Sequence, residues 1–141
     1  IEAAAAVTDT LRATATISHP DDPRLGFLYG TILTDGKDAW SPEATRNICV
    51  FAERQVDRSP TGSGVTARLA LMQARGQIAQ GQARQFESVV GSVFTGKISA
   101  VDRTAAGERI IARVSGRSYY AGRAQFVVEP DDPLAGGFLV E

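Results

Sequence analysis

The sequence predicts an α+β fold in which one central helix is wrapped by sheet, and three observations carry that expectation. A glycine-rich loop, Asp57-Arg58-Ser59-Pro60-Thr61-Gly62-Ser63-Gly64, runs directly into an apolar-rich segment with helical spacing. Val65, Leu69 and Met72 share one face of that segment, while Ala67, Ala70, Leu71 and Ala74 make the other faces apolar too. Downstream, the chain reads as consecutive strands punctuated by glycines, without the alternating helices of a parallel α/β sheet.

The elements follow in order. Ile1 to Ala15 is alanine-rich, with Val7 and Leu11 four apart, and reads as a short helix with one weakly apolar stripe. Ser18-His19-Pro20-Asp21-Asp22-Pro23 is a turn by composition, because proline fixes φ and aspartate bonds its own backbone. Leu25 to Leu33 is aromatic and β-branched enough to be extended, and Asp35-Gly36 closes it. Asn47 to Phe51 is a second strand. The central helix starts near Gly62 and ends near Arg75, where Arg75-Gly76 supplies a basic last turn and a left-handed cap. Strand-like clusters then span Phe86 to Phe94, Ile98 to Val101, Arg109 to Val114 and Tyr119 to Val128, punctuated at Gly96, Gly107, Gly116 and Gly122, before a loop-like tail.

The 141 residues, 43% of them hydrophobic, suit a single domain with one core. Fifteen basic residues oppose sixteen acidic ones, and no basic block exists to track a phosphate backbone, so nucleic acid is excluded as a partner. The apolar runs are shorter than the roughly 18 residues of a membrane span, which points to a soluble, cytoplasmic protein. Cys49 is the only cysteine and His19 the only histidine, so neither an internal disulfide nor a structural metal site is expected. A start at Ile1, with no targeting pattern, suggests a fragment.

Two glycine motifs invite nucleotide readings, and context argues against both. Gly91 to Lys97 fits a phosphate loop up to its lysine, but Ile98 stands where a hydroxyl should bind magnesium and a strand follows in place of a helix. Gly62 to Ala67 fits a relaxed dinucleotide pattern, yet Asp57-Arg58-Ser59-Pro60 separates it from any strand. Cys49, between Ile48 and Val50, reads as a small core residue. His19 reads as a solvated turn residue, and Asp21-Asp22 and Asp131-Asp132, each beside prolines, read as turn carboxylates.

The loop before the central helix is the candidate site. Free amides and the positive end of the helix dipole converge at Gly62, Ser63 and Gly64, so a small carboxylate or phosphate can be held there with Asp57 and Thr61 beside it. Asp57 is read equally as a cap for amides near Ser59 and Pro60 and as a direct substrate contact.

Val56 to Gly64, read as one block, resembles the second active-site motif of the proline racemase superfamily. The resemblance extends through Phe27 to Thr31, Thr34 to Ala39, Asn47 to Phe51, Gly91 to Lys97 and Asp131 to Leu134, and so covers nearly the whole chain. The family's first motif, a cysteine followed by Gly-His-Gly, does not occur in these residues. The resemblance therefore implies that residues 1–141 form one domain, the C-terminal portion of a two-domain enzyme, with about 126–141 crossing toward the absent N-terminal domain. It implies half of a diaminopimelate epimerase-like fold, a mixed or antiparallel sheet curled around a central helix, with substrate between two opposed helix N-termini.

On that resemblance the amides of Gly62, Ser63 and Gly64 bind the substrate carboxylate, Asp57 meets the ring nitrogen and Phe51 forms an apolar wall. Racemases and hydroxyproline epimerases of the superfamily carry cysteine where this chain has Thr61; threonine resembles the branch that dehydrates trans-3-hydroxy-L-proline. Inversion needs a second acid/base, and an unactivated hydroxyl cannot serve. The implied activity is a hydro-lyase reaction: a base in the missing domain removes the Cα proton, the C3 hydroxyl leaves, and pyrroline-2-carboxylate results. Thr61 is expected to place or hydrogen-bond the leaving hydroxyl or a water, with Asp57 as its catalytic partner. No cofactor is implied, and the expected partners are hydroxyproline, the N-terminal domain and, in a homodimer, a second copy. Inversion of proline or hydroxyproline is the alternative activity, and a non-catalytic carboxylate-binding fragment the alternative class.

Overall fold

The computed structural model describes residues 1–19, 21–104 and 107–139, so Pro20 of the first turn and the last two residues of the expected crossing segment lie outside the described residues. The alanine-rich start forms helix α1, Glu2–Thr14. Its buried face is not the Val7/Leu11 stripe, since both are exposed at 43% and 40%; Ala4, Ala5 and Thr8 are buried instead. Small side chains let the helix lie close to the sheet, and the Thr8 and Thr31 hydroxyls meet at 2.7 Å.

Strand β1 is shorter than expected, Gly30–Thr34, because Pro23–Leu25 forms a 3₁₀ turn capped by Asp22, whose carboxylate accepts from the Arg24 amide at 3.0 Å. Proline at the first position of such a turn gives up no needed donor. Strand β2, Thr45–Phe51, pairs antiparallel with β1, placing Ile32 opposite Cys49 and Gly30 opposite Phe51. A short β3, Gln55–Val56, folds back on the end of β2.

Helix α2 is Gly62–Ala74, and Gly76 takes the left-handed conformation expected of it, with φ 66°. The chain then runs through β4, Ala83–Glu87, β5, Val93–Thr104, and β6, Gly107–Gly116. The expected Phe86 to Phe94 strand is split by a turn at Ser88 to Ser92, where Gly91 has φ 78°. The expected break at Gly96 is absent: Gly96 lies inside β5, where a Cβ would stand 2.8 Å from Val65 Cγ1 and 3.0 Å from Leu69 Cδ1. Its role is close approach of sheet to helix. Strand order among the described residues is β1-β2-β4-β5-β6, mixed in sense because β2 and β4 run parallel while the other neighbours run antiparallel.

Val65, Leu69 and Met72 of α2 make the core with Ile78, Phe86 and Ile98, and Phe94, Val101, Ile110, Ala112 and Val114 line its edge. Wrapping on several sides is not observed. Leu71 is 53% exposed and Ala67, Ala70 and Ala74 are exposed as well, so α2 buries one face only. Nor is Tyr119 to Val128 a strand; it runs as irregular backbone with Tyr119, Tyr120, Phe126 and Val127 exposed. Strand propensity becomes a strand only where a neighbour supplies the ladder, and none of the described residues does so.

The buried face of α2 also carries a charge. Arg68 has a side chain 7% exposed and reaches across to the sheet, donating to Asp38 Oδ1 at 2.8 Å, Thr45 Oγ1 at 2.7 Å and Asn47 Oδ1 at 3.2 Å, with its guanidinium 5.0 Å from the Phe86 ring centre. Arg84, 1% exposed, donates to the carbonyls of Lys37, Ser41 and Glu43 and so fastens the chain between β1 and β2. Burial, and then the nearby charge of Arg68, hold the Arg84 guanidinium below its ordinary pKa, while Asp35, Asp38 and Glu43 act in the opposite direction.

Removing a buried, hydrogen-bonded charge leaves its partners stranded, typically at a cost of about 3–5 kcal/mol. Arg68→Ala is expected to lose stability on that scale in urea denaturation, and a loss below about 1 kcal/mol would show that the network does not hold the helix. Asp35 gives a pH test. Burial raises its pKa, but the Thr45 hydroxyl, the Arg46 and Lys37 amides and the Arg68 charge outweigh that and lower it from 3.8 to about 2. A carboxyl depressed on folding stabilises above its unfolded value and loses that contribution as pH falls through the folded one. Asp35→Asn should therefore flatten the acid decline in stability between pH 3.8 and about 2.

Candidate active site

Loop 57–61 joins strand β3 to helix α2, and its shape follows from where its backbone is tied. The Asp57 amide donates to the Cys49 carbonyl at 3.1 Å. The Arg58 carbonyl accepts from the Ser88 and Ser92 hydroxyls at 2.7 and 3.0 Å, so the β4–β5 turn buttresses the loop from outside. The Pro60 carbonyl accepts from Asn47 Nδ2 at 3.3 Å, and the same Asn47 receives Arg68 through its Oδ1.

So tied, Thr61 is forced to φ 68°, ψ 103°. A β-branched residue at positive φ is a steric outlier costing on the order of 1–3 kcal/mol, and such residues persist where surrounding contacts over-determine them. Thr61 sits at the helix N-cap, where its hydroxyl would ordinarily accept from an amide of the first turn. It caps nothing. Its amide donates to Ser59 Oγ at 3.0 Å and its hydroxyl to Asp57 Oδ2 at 2.9 Å. The amides of Gly62, Ser63 and Gly64 are thereby left without an acceptor among the described residues.

Asp57 also accepts from the Ser59 amide at 2.8 Å through Oδ1. Burial raises its pKa, but the Ser59 amide, the Thr61 and Ser59 hydroxyls and the Arg58 charge together hold the carboxyl below its ordinary value. Near neutrality Asp57 is therefore an anion, a few residues from three free amides at a helix's positive end. The two readings of Asp57 are compatible, since a carboxylate offers about four acceptor sites and the loop's donors do not fill them all.

One cleft of about 450 Å³ gathers Asp57, Thr61, Gly62, Ser63, Gly64 and Phe51, the residues singled out in the sequence, together with Tyr29, Gly30, Ile32, Cys49 and Ala67. Tyr29 leans on Phe51 with ring centres 5.4 Å apart, making an aromatic wall. A Cβ at Gly64 would lie 2.2 Å from Ile32 Cδ1, so glycine lets the helix start descend onto β1. Cys49 is buried, as expected of a core residue, yet it also lines the cleft floor. Its spacing of two from Phe51 places both on one face of β2, which was the available signal for it. The supporting residues Asn47, Arg68, Ser88 and Ser92 carry no comparable sequence signal, because their partners are distant in the chain.

The other sequence features take bland positions. His19 Nδ1 accepts the Asp21 and Asp22 amides, and Asp132 Oδ1 accepts the Leu134 amide, as turn residues do. The lysine of the phosphate-loop match lies within β5. No group of three His, Cys, Asp or Glu among the described residues is placed to hold a metal, and no described helix is long and apolar enough to cross a membrane. What the cleft offers is a helix start with free amides beside a carboxylate and an aromatic wall. That charge pattern complements a zwitterion, with carboxylate on the amides and ammonium on Asp57.

The model of the family described as "Proline racemase" matches residues 1–139. The chain is 54% identical over 142 aligned residues to the human trans-3-hydroxy-L-proline dehydratase, covering all of this chain and 40% of that protein. It is 40% identical over 137 residues to the trans-3-hydroxy-L-proline dehydratase of Burkholderia cenocepacia, covering 96% of this chain and 40% of that one. The crystal structure of a hydroxyproline epimerase from Agrobacterium vitis, with trans-4-hydroxy-L-proline bound, superposes with a TM-score of 0.78 at 30% identity, over 99% of this chain and 40% of that structure. The chain thus spans about 40% of the length of the relatives it matches.

Proposed function

Because this chain belongs to the proline racemase family, we propose that its cleft is one side of the active site of a cofactor-independent, cytoplasmic dehydratase that converts trans-3-hydroxy-L-proline to pyrroline-2-carboxylate. The other side, including the base that removes the Cα proton, would come from a second domain related to this one by pseudo-symmetry, as in the diaminopimelate epimerase fold. The Gly62, Ser63 and Gly64 amides hold the substrate carboxylate and stabilise the charge that builds on it as the Cα proton leaves. Asp57 holds the ring nitrogen, and Phe51 with Tyr29 supports the apolar edge of the pyrrolidine.

The observation that carries this reading is Thr61 in the cleft, at the place where the motif resemblance puts a cysteine in two-base members of the superfamily. A hydroxyl hydrogen-bonded to a carboxylate is no acid or base for Cα, so inversion lacks its second group. Loss of a β-hydroxyl needs only one proton removed from Cα, and the shared name of the human and Burkholderia relatives supports that outcome. The epimerase reading draws on the likeness to the Agrobacterium vitis structure, and a threonine at position 61 disfavours it.

Assayed as the two-domain protein, the enzyme should release water from trans-3-hydroxy-L-proline and leave trans-4-hydroxy-L-proline uninverted; inversion without dehydration would sink the dehydratase reading, and binding without either reaction would favour a non-catalytic carboxylate binder. Thr61→Cys should gain measurable inversion. Asp57→Asn should lower kcat/KM by about 10- to 150-fold, the worth of one charge-assisted hydrogen bond to the ring nitrogen.

A further inference from the structure

We infer that the Thr61 hydroxyl meets the substrate as a hydrogen-bond acceptor, taking one N–H of the ring's secondary ammonium beside Asp57, and that it is not the acid that completes the leaving water. The inference rests on the dehydratase reading and narrows the role of its central residue. A threonine hydroxyl owns one proton, and here that proton lies on Asp57 Oδ2 at 2.9 Å. The direction of this bond is fixed by chemistry, because Asp57 already accepts the Ser59 amide through Oδ1 and, as a carboxylate, has nothing to donate. Asp57 Oδ2 is the acceptor that the Thr61 hydroxyl meets among the described residues, while Ser59 Oγ faces the Thr61 amide at 3.0 Å. What Thr61 Oγ1 presents to a molecule in the cleft is lone pairs.

A secondary ammonium carries two N–H donors. Asp57 and Thr61 both line the cleft and are joined by a hydrogen bond, so together they form a two-point acceptor of matching valence. A thiol in place of the hydroxyl would be a weak acceptor, which makes the same position a determinant of how firmly the nitrogen is held.

The proton inventory of elimination closes without Thr61. The Cα–H bond breaks, its electron pair becomes the Cα–C3 double bond, and the C3–O bond breaks as hydroxide departs. The proton taken by the base is the one that turns hydroxide into water, and ring stereochemistry lets one group perform both transfers. In the trans isomer the hydroxyl and carboxylate lie on opposite faces of the ring. The Cα proton is also opposite the carboxylate, and so shares the hydroxyl's face. The conjugate acid of the base stands where the leaving group departs.

The test compares leaving groups in the two-domain protein. Fluoride departs from carbon with far less need of a proton than hydroxide, so trans-3-fluoro-L-proline reports whether a residue acts as the acid. Thr61→Val and Thr61→Ala remove the hydroxyl; alanine also removes the β-branch that is strained at φ 68°, so it keeps the test available if the valine variant misfolds. Both should lower kcat/KM for trans-3-hydroxy-L-proline by roughly 10- to 100-fold, mostly through KM, and by the same factor for the fluoro substrate. A loss in kcat that largely disappears with fluoride as leaving group would identify Thr61 as the acid and overturn the inference. Wild-type protein that eliminates neither water nor fluoride would overturn the dehydratase reading, and this inference with it.

Discussion

The geometry of the cleft depends on a guanidinium where a helix would ordinarily place leucine. Arg68 lies on the same buried face as Val65, Leu69 and Met72, and a charge in that position is tolerable only because Asp38, Thr45, Asn47 and the Phe86 ring receive it. The arrangement couples what apolar packing would leave independent. Asn47 accepts Arg68 with one end of its amide and donates to the Pro60 carbonyl with the other, so helix position, strand register and loop height are set by one side chain. Apolar contacts tolerate sliding, whereas a chain of directional bonds does not.

That coupling explains how Thr61 stays in a conformation it would otherwise leave. Two residues earlier Ser59 takes its amide, four residues earlier Asp57 takes its hydroxyl, and Pro60 just before it is anchored from the sheet. The consequence is electrostatic. A threonine that capped its helix would consume a donor of the first turn, and here the donor stays available while the hydroxyl steadies a carboxylate nearby. Free amides and a carboxylate within one cleft make a surface of opposite charges, suited to a molecule that carries both.

The parts of this arrangement legible in the sequence are those governed by neighbours along the chain. Helix α2, its glycine stop and strand β2 follow from local spacing, and the loop 57–64 announces itself by composition and by its resemblance to a family motif. The rest depends on contacts between distant residues. Val7 and Leu11 have the spacing of a buried stripe, yet alanines won the interface of α1 because the sheet lies too close for larger side chains. Tyr119 to Val128 has strand propensity and no described neighbour to pair with. Ala67, Ala70, Leu71 and Ala74 read as a face to be wrapped, and they remain exposed in these residues. Asn47, Ser88 and Ser92 could not be picked out, since a polar residue on a strand or in a turn looks alike whether it faces water or holds a loop 13 or more residues away.

On the proposed reading, chemistry at Cα is one-sided, with a base opposite Thr61 and none at it. It is tested most directly by following L-proline deuterated at Cα in the two-domain protein, because proline has no leaving group and exposes the proton-transfer step alone. One-sided chemistry gives washout of deuterium into water with the L configuration retained and no D-proline formed. Washout accompanied by D-proline at a comparable rate would show that a proton can be delivered from the Thr61 face, and would contradict it.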